Sequence, residues 1–186
     1  MELTFADTRD QALVALAIQK ASAHSAYLGR TAVQKIVYFL KVADVPMDYR
    51  FEIYHYGPFS DALRSDIGWL LADEVISDRS DDPSTHSNYV PGPAFENLMG
   101  KYRDDLAHYE NTIQAVVSAL PLSNSKQMEM IATLDYLYRA TKASHPSGPY
   151  RDTVISRFQE VKGEKFTKTD IECAYDDMMK AKLFAA

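Results

Sequence analysis

Apolar positions recur at helical spacing along most of the chain, broken by short stretches that alternate as strands do. Thr8 and Gln11 have capping-box spacing and precede apolar Ala12, Leu13, Leu16 and Ala17, which predicts a first helix ending near Ala23. Thr31 and Gln34 repeat that spacing. Behind them Val33, Ile36, Val37 and Leu40 fall at i, i+3, i+4 and i+7, predicting a second helix to about Ala43, stopped by Val45-Pro46 because the residue before a proline avoids helical angles. Phe51, Ile53 and His55 alternate with Glu52, Tyr54 and Tyr56 as a short strand, and Gly57-Pro58 is the expected turn. Ser60 can cap a third helix with Leu63, Ile67, Leu70 and Leu71 inward. Glu74–Ser80 and Asn88–Val90 read as a hairpin across the polar loop Asp81–Asn88.

The second half is helical throughout. From Phe95 to Leu120, Phe95, Leu98, Met99, Tyr102, Leu106, Tyr109, Ile113, Val116, Val117 and Leu120 keep to one face, so one long helix is expected, ended by Pro121. Asn124 or Ser125 opens the next, with Met128, Ile131, Leu134 and Tyr138 inward. Pro146-Ser147-Gly148-Pro149 is a rigid break, after which Tyr150–Val161 is helical through Val154, Ile155 and Phe158. Thr167 and Asp170 cap a last helix carrying Ile171, Tyr175 and Met178. The expected fold is mainly α: a winged-helix-like module with a small β-hairpin over residues 1–92, packed on a C-terminal helical bundle over residues 93–186.

Composition narrows the function more than the fold. Of 186 residues, 46% are hydrophobic and 25% charged, an ordinary globular balance. The single cysteine, Cys173, excludes an internal disulfide and a cysteine-based zinc site, and is expected to be a reduced, buried or half-buried small residue. Met1–Asp10 carries acids where a secretory signal would carry Lys or Arg, and Ala12–Ile18 is too short to cross a bilayer, so a cytoplasmic location without membrane partners is expected. The net charge is −6, and residues 1–92 hold eight Lys and Arg against thirteen Asp and Glu. The half with the DNA-binding layout is therefore the more acidic half, which disfavours a phosphate-binding face.

No catalytic set stands out. His24, His55, His86, His108 and His145 are scattered, without His-Glu-x-x-His spacing, so neither a metal nor a cofactor is expected. Cys173 sits beside Glu172, which disfavours its thiolate. There is no Gly-x-Ser-x-Gly elbow and no glycine-rich phosphate loop. Asp104-Asp105 and Asp176-Asp177 read as solvated helix faces. For DNA, the third helix offers Asp61, Arg64 and Asp66, and the second a thin positive stripe of Arg30, Lys35 and Lys41.

Two segments carry a family resemblance. Gly29-Arg30-Thr31-Ala32-Val33-Gln34-Lys35-Ile36-Val37-Tyr38-Phe39-Leu40, and Phe51-Glu52-Ile53-Tyr54-His55-Tyr56-Gly57-Pro58-Phe59-Ser60 with Leu63 after it, resemble the YwgA-type proteins and, more distantly, the SocA-like antitoxin domain also called Panacea. These families join a Gln-Lys-apolar-apolar-Tyr helix to an extended segment ending in Tyr-Gly-Pro, then a helix and a strand, here filled by Leu70, Leu71, Val75 and Ile76. The resemblance spans roughly residues 8–92 and implies a helix-turn-helix-like core that acts through protein–protein contact.

Local rules account for much of this motif. Gln34 completes the second helix cap, Tyr38 and Phe39 dock that helix, and Gly57-Pro58 sets how the third helix leaves the strand. Lys35 and His55 are harder to explain by packing. The expected function is a non-enzymatic protein–protein interaction module, antitoxin-like or regulatory, with a winged-helix DNA-binding regulator as the alternative. Its partner-binding residues are expected to be Arg30, Lys35, Tyr38, Tyr54, His55, Tyr56, Phe59 and Arg64, and a second copy of the chain is a further candidate partner.

Overall fold

A computed structural model describes residues 4–83 and 86–181. It is mainly helical, with two small antiparallel hairpins. Helix α1 (Arg9–Ser22) starts at a complete capping box: the Thr8 side chain accepts from the Gln11 N–H, and the Gln11 side chain accepts from the Thr8 N–H. Gln11 through Ile18 and Ala21 are all buried, so α1 is the central helix, covered by α2, α3, α4, α5 and the second hairpin.

Helix α2 (Arg30–Val42) begins at Gly29 without a side-chain cap. The expected Thr31–Gln34 capping box therefore does not form. The Gln34 carboxamide instead accepts from the Ser60 N–H at 2.9 Å and donates to the Ser60 carbonyl at 3.0 Å. This buried bidentate pair ties α2 to the start of α3 (Asp61–Ala72), whose first turn is capped by the Ser60 hydroxyl. Both helices end alike. Asp44 and Glu74 take left-handed angles (φ 60° and 54°), and the N–H groups of Val45 and Val75 return to the carbonyls of Leu40 and Leu70. The stop of α2 thus lies in its own C-terminal motif, one residue before the Val45-Pro46 pair.

Between α2 and α3 the chain makes a hairpin, β1 (Glu52–Tyr54) with β2 (Gly57–Phe59), where a single strand and a Gly-Pro turn were expected. His55 and Tyr56 form the turn, and Gly57-Pro58 lie in β2, with Pro58 opposite Ile53. Proline is tolerated there because the ribbon has only two strands and a neighbour on one side. The expected second hairpin forms as β3 (Ile76–Asp78) with β4 (Tyr89–Pro91), and the Tyr89 N–H anchors it to the Leu28 carbonyl. Residues 84 and 85 of the Asp81–Asn88 loop lie outside the described residues.

The long amphipathic stripe is split into α4 (Phe95–Lys101) and α5 (Arg103–Ala119), with Tyr102 at the junction. Gly100 weakens the helix just before the break. Tyr102 then donates its hydroxyl to the Asp7 carbonyl, and Lys101 pairs with the Asp7 carboxylate, drawing the junction to the start of α1. The inward face survives the break: Phe95, Leu98, Leu106, Ile113 and Val117 are all buried.

Helix α6 (Ser125–Ser144), capped by Asn124, runs between two hydrophobic cores. One core takes in α1 to α5 with Met128, drawing residues from both sides of position 92. The other gathers Leu134, Leu137 and Tyr138 with α7 (Arg151–Lys162), Phe166 after a 3-10 turn (Gly163–Lys165), and α8 (Lys168–Lys180), which Thr167 caps. Cys173 on α8 is exposed rather than buried, since Ile171, Tyr175 and Met178 take the inward face. Asp176 is half-buried and paired with Arg151 at 2.9 Å. Among the described residues, no helix is long and apolar enough to cross a membrane.

Candidate partner-binding pocket

A cavity of about 320 Å³ opens between α2, the first hairpin and α3. Helix α2 gives Arg30, Thr31, Gln34 and Lys35, the hairpin Tyr54, Tyr56, Gly57 and Phe59, and α3 Arg64, Ile67, Gly68 and Leu71. Tyr89 of β4 completes the lining. Six of the eight residues expected from the sequence line this one cavity: Arg30, Lys35, Tyr54, Tyr56, Phe59 and Arg64.

Their exposure differs. Tyr54 and Tyr56 are each 58% exposed, and Tyr54 leans on Phe59 with ring centroids 5.5 Å apart. Arg30 and Arg64 are exposed, and Arg64 pairs with Asp61 at 3.0 Å. Among the described residues the Arg30 side chain has no ion pair or hydrogen bond.

The other two expected residues do not join the lining. Tyr38 is buried, donating its hydroxyl to the Asp135 carboxylate at 2.6 Å. That carboxylate also takes Arg139 at 2.9 Å, so Tyr38 belongs to the α2–α6 contact and lies outside this cavity. His55 is exposed at the hairpin turn, where its ring packs edge-on against Tyr54.

Lys35 is a correction of a different kind. It lines the cavity but is only 1% exposed, so it cannot serve as a surface cation. Its ammonium donates to the Pro58 carbonyl at 2.6 Å and so holds β2 down on α2. Burial, with Lys162 nearby and only partial relief from Glu129, lowers its pKa from 10.5 to about 7. Lys41, the third member of the expected positive stripe, donates to the Tyr49 carbonyl at 2.5 Å. The stripe is therefore not a surface: of its three cations only Arg30 is exposed.

The hairpin wall is set from behind by residues that local sequence patterns do not single out. Lys162 of α7 donates to the His55 carbonyl at 2.8 Å and pairs with the buried carboxylate of Glu129 on α6 at 2.9 Å. Lys165 meets the same carboxylate at 2.7 Å and lies over the Tyr56 ring, 4.8 Å from its centre. Gly57 has φ 92°, and a Cβ there would come within 2.6 Å of the Thr133 hydroxyl of α6. A side chain at position 57 would thus be strained in backbone and crowded in space, which is what lets the hairpin lie flat on α6. One buried glutamate and three lysines therefore fix the aromatic wall. The only sequence signal for Glu129 is an acid next to Met128 on the inward side of α6.

The arrangement offers an apolar, ring-lined recess with guanidinium groups at its edge. Among the described residues no three His, Cys, Asp or Glu gather as metal ligands would. Compared with protein-family models and with curated proteins, the chain matches none.

Proposed function

We propose that the chain is a non-enzymatic protein–protein interaction module, antitoxin-like or regulatory, working in the cytoplasm and holding its partner at the pocket between α2, the first hairpin and α3. The observation that carries this reading is the pair of exposed rings, Tyr54 and Tyr56, at the edge of an apolar cavity. Exposed aromatics beside arginine are the residue types that dominate binding at many interfaces. A rigid wall also spares the partner part of the ordering cost of binding, and the Glu129 cluster supplies that rigidity. The exposed thiol of Cys173 suits a reducing compartment.

Gly68 gives a direct test. It lines the cavity on α3, and a Cβ there would meet nothing within 4 Å. Phenylalanine has a helix propensity better than glycine's by roughly a few tenths of a kcal/mol, so Gly68→Phe should fill the pocket while the protein stays folded. Full-length wild type and Gly68→Phe, each used to capture proteins from the native host, should differ: a partner held by wild type is lost from the filled variant. The same proteins captured by both would contradict the reading.

A further inference from the structure

The cavity's charge bears on what would fill it, and the inference rests on the interaction reading just given. Two exposed guanidinium groups, Arg30 and Arg64, line it with the buried Lys35 amine, and no carboxylate does. That is a local reversal in a chain of net charge −6. Arg30 has no ion pair among the described residues. Arg64 shares one contact with an exposed Asp61, and a guanidinium has five donors to offer. The volume, about 320 Å³, is at the lower limit for small-molecule pockets.

The ring surface does not stop at the cavity. Tyr54, Phe59 and Arg64 continue into a neighbouring groove with Arg50 and three carboxylates, Asp48, Glu52 and Asp61. A compound sized to the cavity would leave that surface wet, whereas an extended chain would cover both. A nucleic-acid backbone would have to run its phosphates over Asp48, Glu52 and Asp61, whereas a peptide can pass them with uncharged residues. A peptide needs its acids only beside the residue it inserts.

We propose that the pocket takes an acidic segment of a partner protein, with one aromatic or leucine side chain filling the cavity and flanking carboxylates meeting Arg30 and Arg64. A basic segment is repelled by the same two groups, so the charge selects as well as attracts.

A random peptide library displayed on phage and selected on the immobilised full-length chain tests this. Enriched sequences should carry a single aromatic or leucine anchor flanked by Asp or Glu. As labelled synthetic peptides they should bind less tightly as salt rises, and lose about tenfold or more in affinity to Arg30→Ser/Arg64→Ser. Both arginines are exposed, so circular dichroism should show that variant folded as wild type.

Enriched peptides that are basic or uncharged, or that bind the double-serine variant as well as wild type, would overturn the acidic occupant. If Gly68→Phe still abolished their binding, the interaction reading would survive alone. Peptides indifferent to Gly68→Phe, or no enrichment over the bare support, would overturn both.

Discussion

Glu129→Ala should cost about 3–5 kcal/mol of stability, the range for breaking a buried ion pair by removing one partner. The Glu129 side chain is 5% exposed and its Lys162 partner 2%, so little water can replace the lost carboxylate. Lys162 would then face the Lys35 amine and the His55 carbonyl with nothing to balance its charge. Burial already lowers the pKa of Lys162 against the support of Glu129, so without that support the lysine should lose its proton more readily or draw its helix away. Glu129→Met combined with Lys162→Met removes both charges and should recover most of the loss, since a buried pair often exchanges for apolar residues at little cost. Urea unfolding of the three proteins checks this. An alanine variant within about 1 kcal/mol of wild type would mean that the cluster contributes little.

Lys35→Met should stabilise the protein at neutral pH, and the advantage should shrink as pH rises. In the folded chain the Lys35 pKa is about 7, against 10.5 for the free side chain. Between these values the unfolded chain binds a proton that the folded chain does not, so wild-type stability gains up to about 1.4 kcal/mol per pH unit from this group. The full penalty is present below pH 7 and is gone above 10.5. Methionine carries no such penalty but leaves the Pro58 carbonyl without its donor, a cost of about 1–3 kcal/mol that does not vary with pH.

The difference between variant and wild type should therefore narrow steadily from pH 7 to pH 9.5. Tyr38 and Tyr49 keep their phenol protons in the fold because of burial beside Asp135 and Asp66, and they weaken the folded state above pH 10. Both proteins share that effect, so it cancels in the comparison. Urea midpoints at pH 7, 8, 9 and 9.5 provide the measurement. Parallel curves would show that Lys35 titrates normally.

The elements that sequence reading placed well are those governed by neighbours. The Thr8, Ser60, Asn124 and Thr167 caps all form, because a hydroxyl or amide oxygen three residues before a free N–H needs nothing distant. The inward stripes of α3, apart from half-buried Leu71, and of α8 hold for the same reason. Failures occur where a distant group intervenes. Gln34 has capping-box spacing, but the Ser60 backbone, 26 residues away, claims its amide. Tyr102 is in phase with its helix, yet the Asp7 carbonyl pulls its hydroxyl aside.

The pocket was legible in part. The crowding of Tyr54, Tyr56, Phe59, Arg30 and Arg64 in sequence is also a crowding in space. The rest of its lining was not, because buried Ile67 and Tyr89 and exposed Gly68 arrive from α3 and β4 and carry no shared pattern. Nor was the support behind it. α6 is covered on two sides by separate cores, so its sequence lacks one polar face, and buried Glu129 and Asp135 do not stand apart from surface acids.

Site-specific crosslinking tests the binding face most directly. A photoreactive residue placed at Tyr54, at the mouth of the pocket, should join a distinct protein in the native host. The same residue at Glu160, exposed on α7, should not. A single adduct formed from position 54, absent from position 160 and lost when Gly68→Phe is added, is the predicted result. No adduct at 54, or the same adducts from both positions, would contradict the proposal that this face holds a partner.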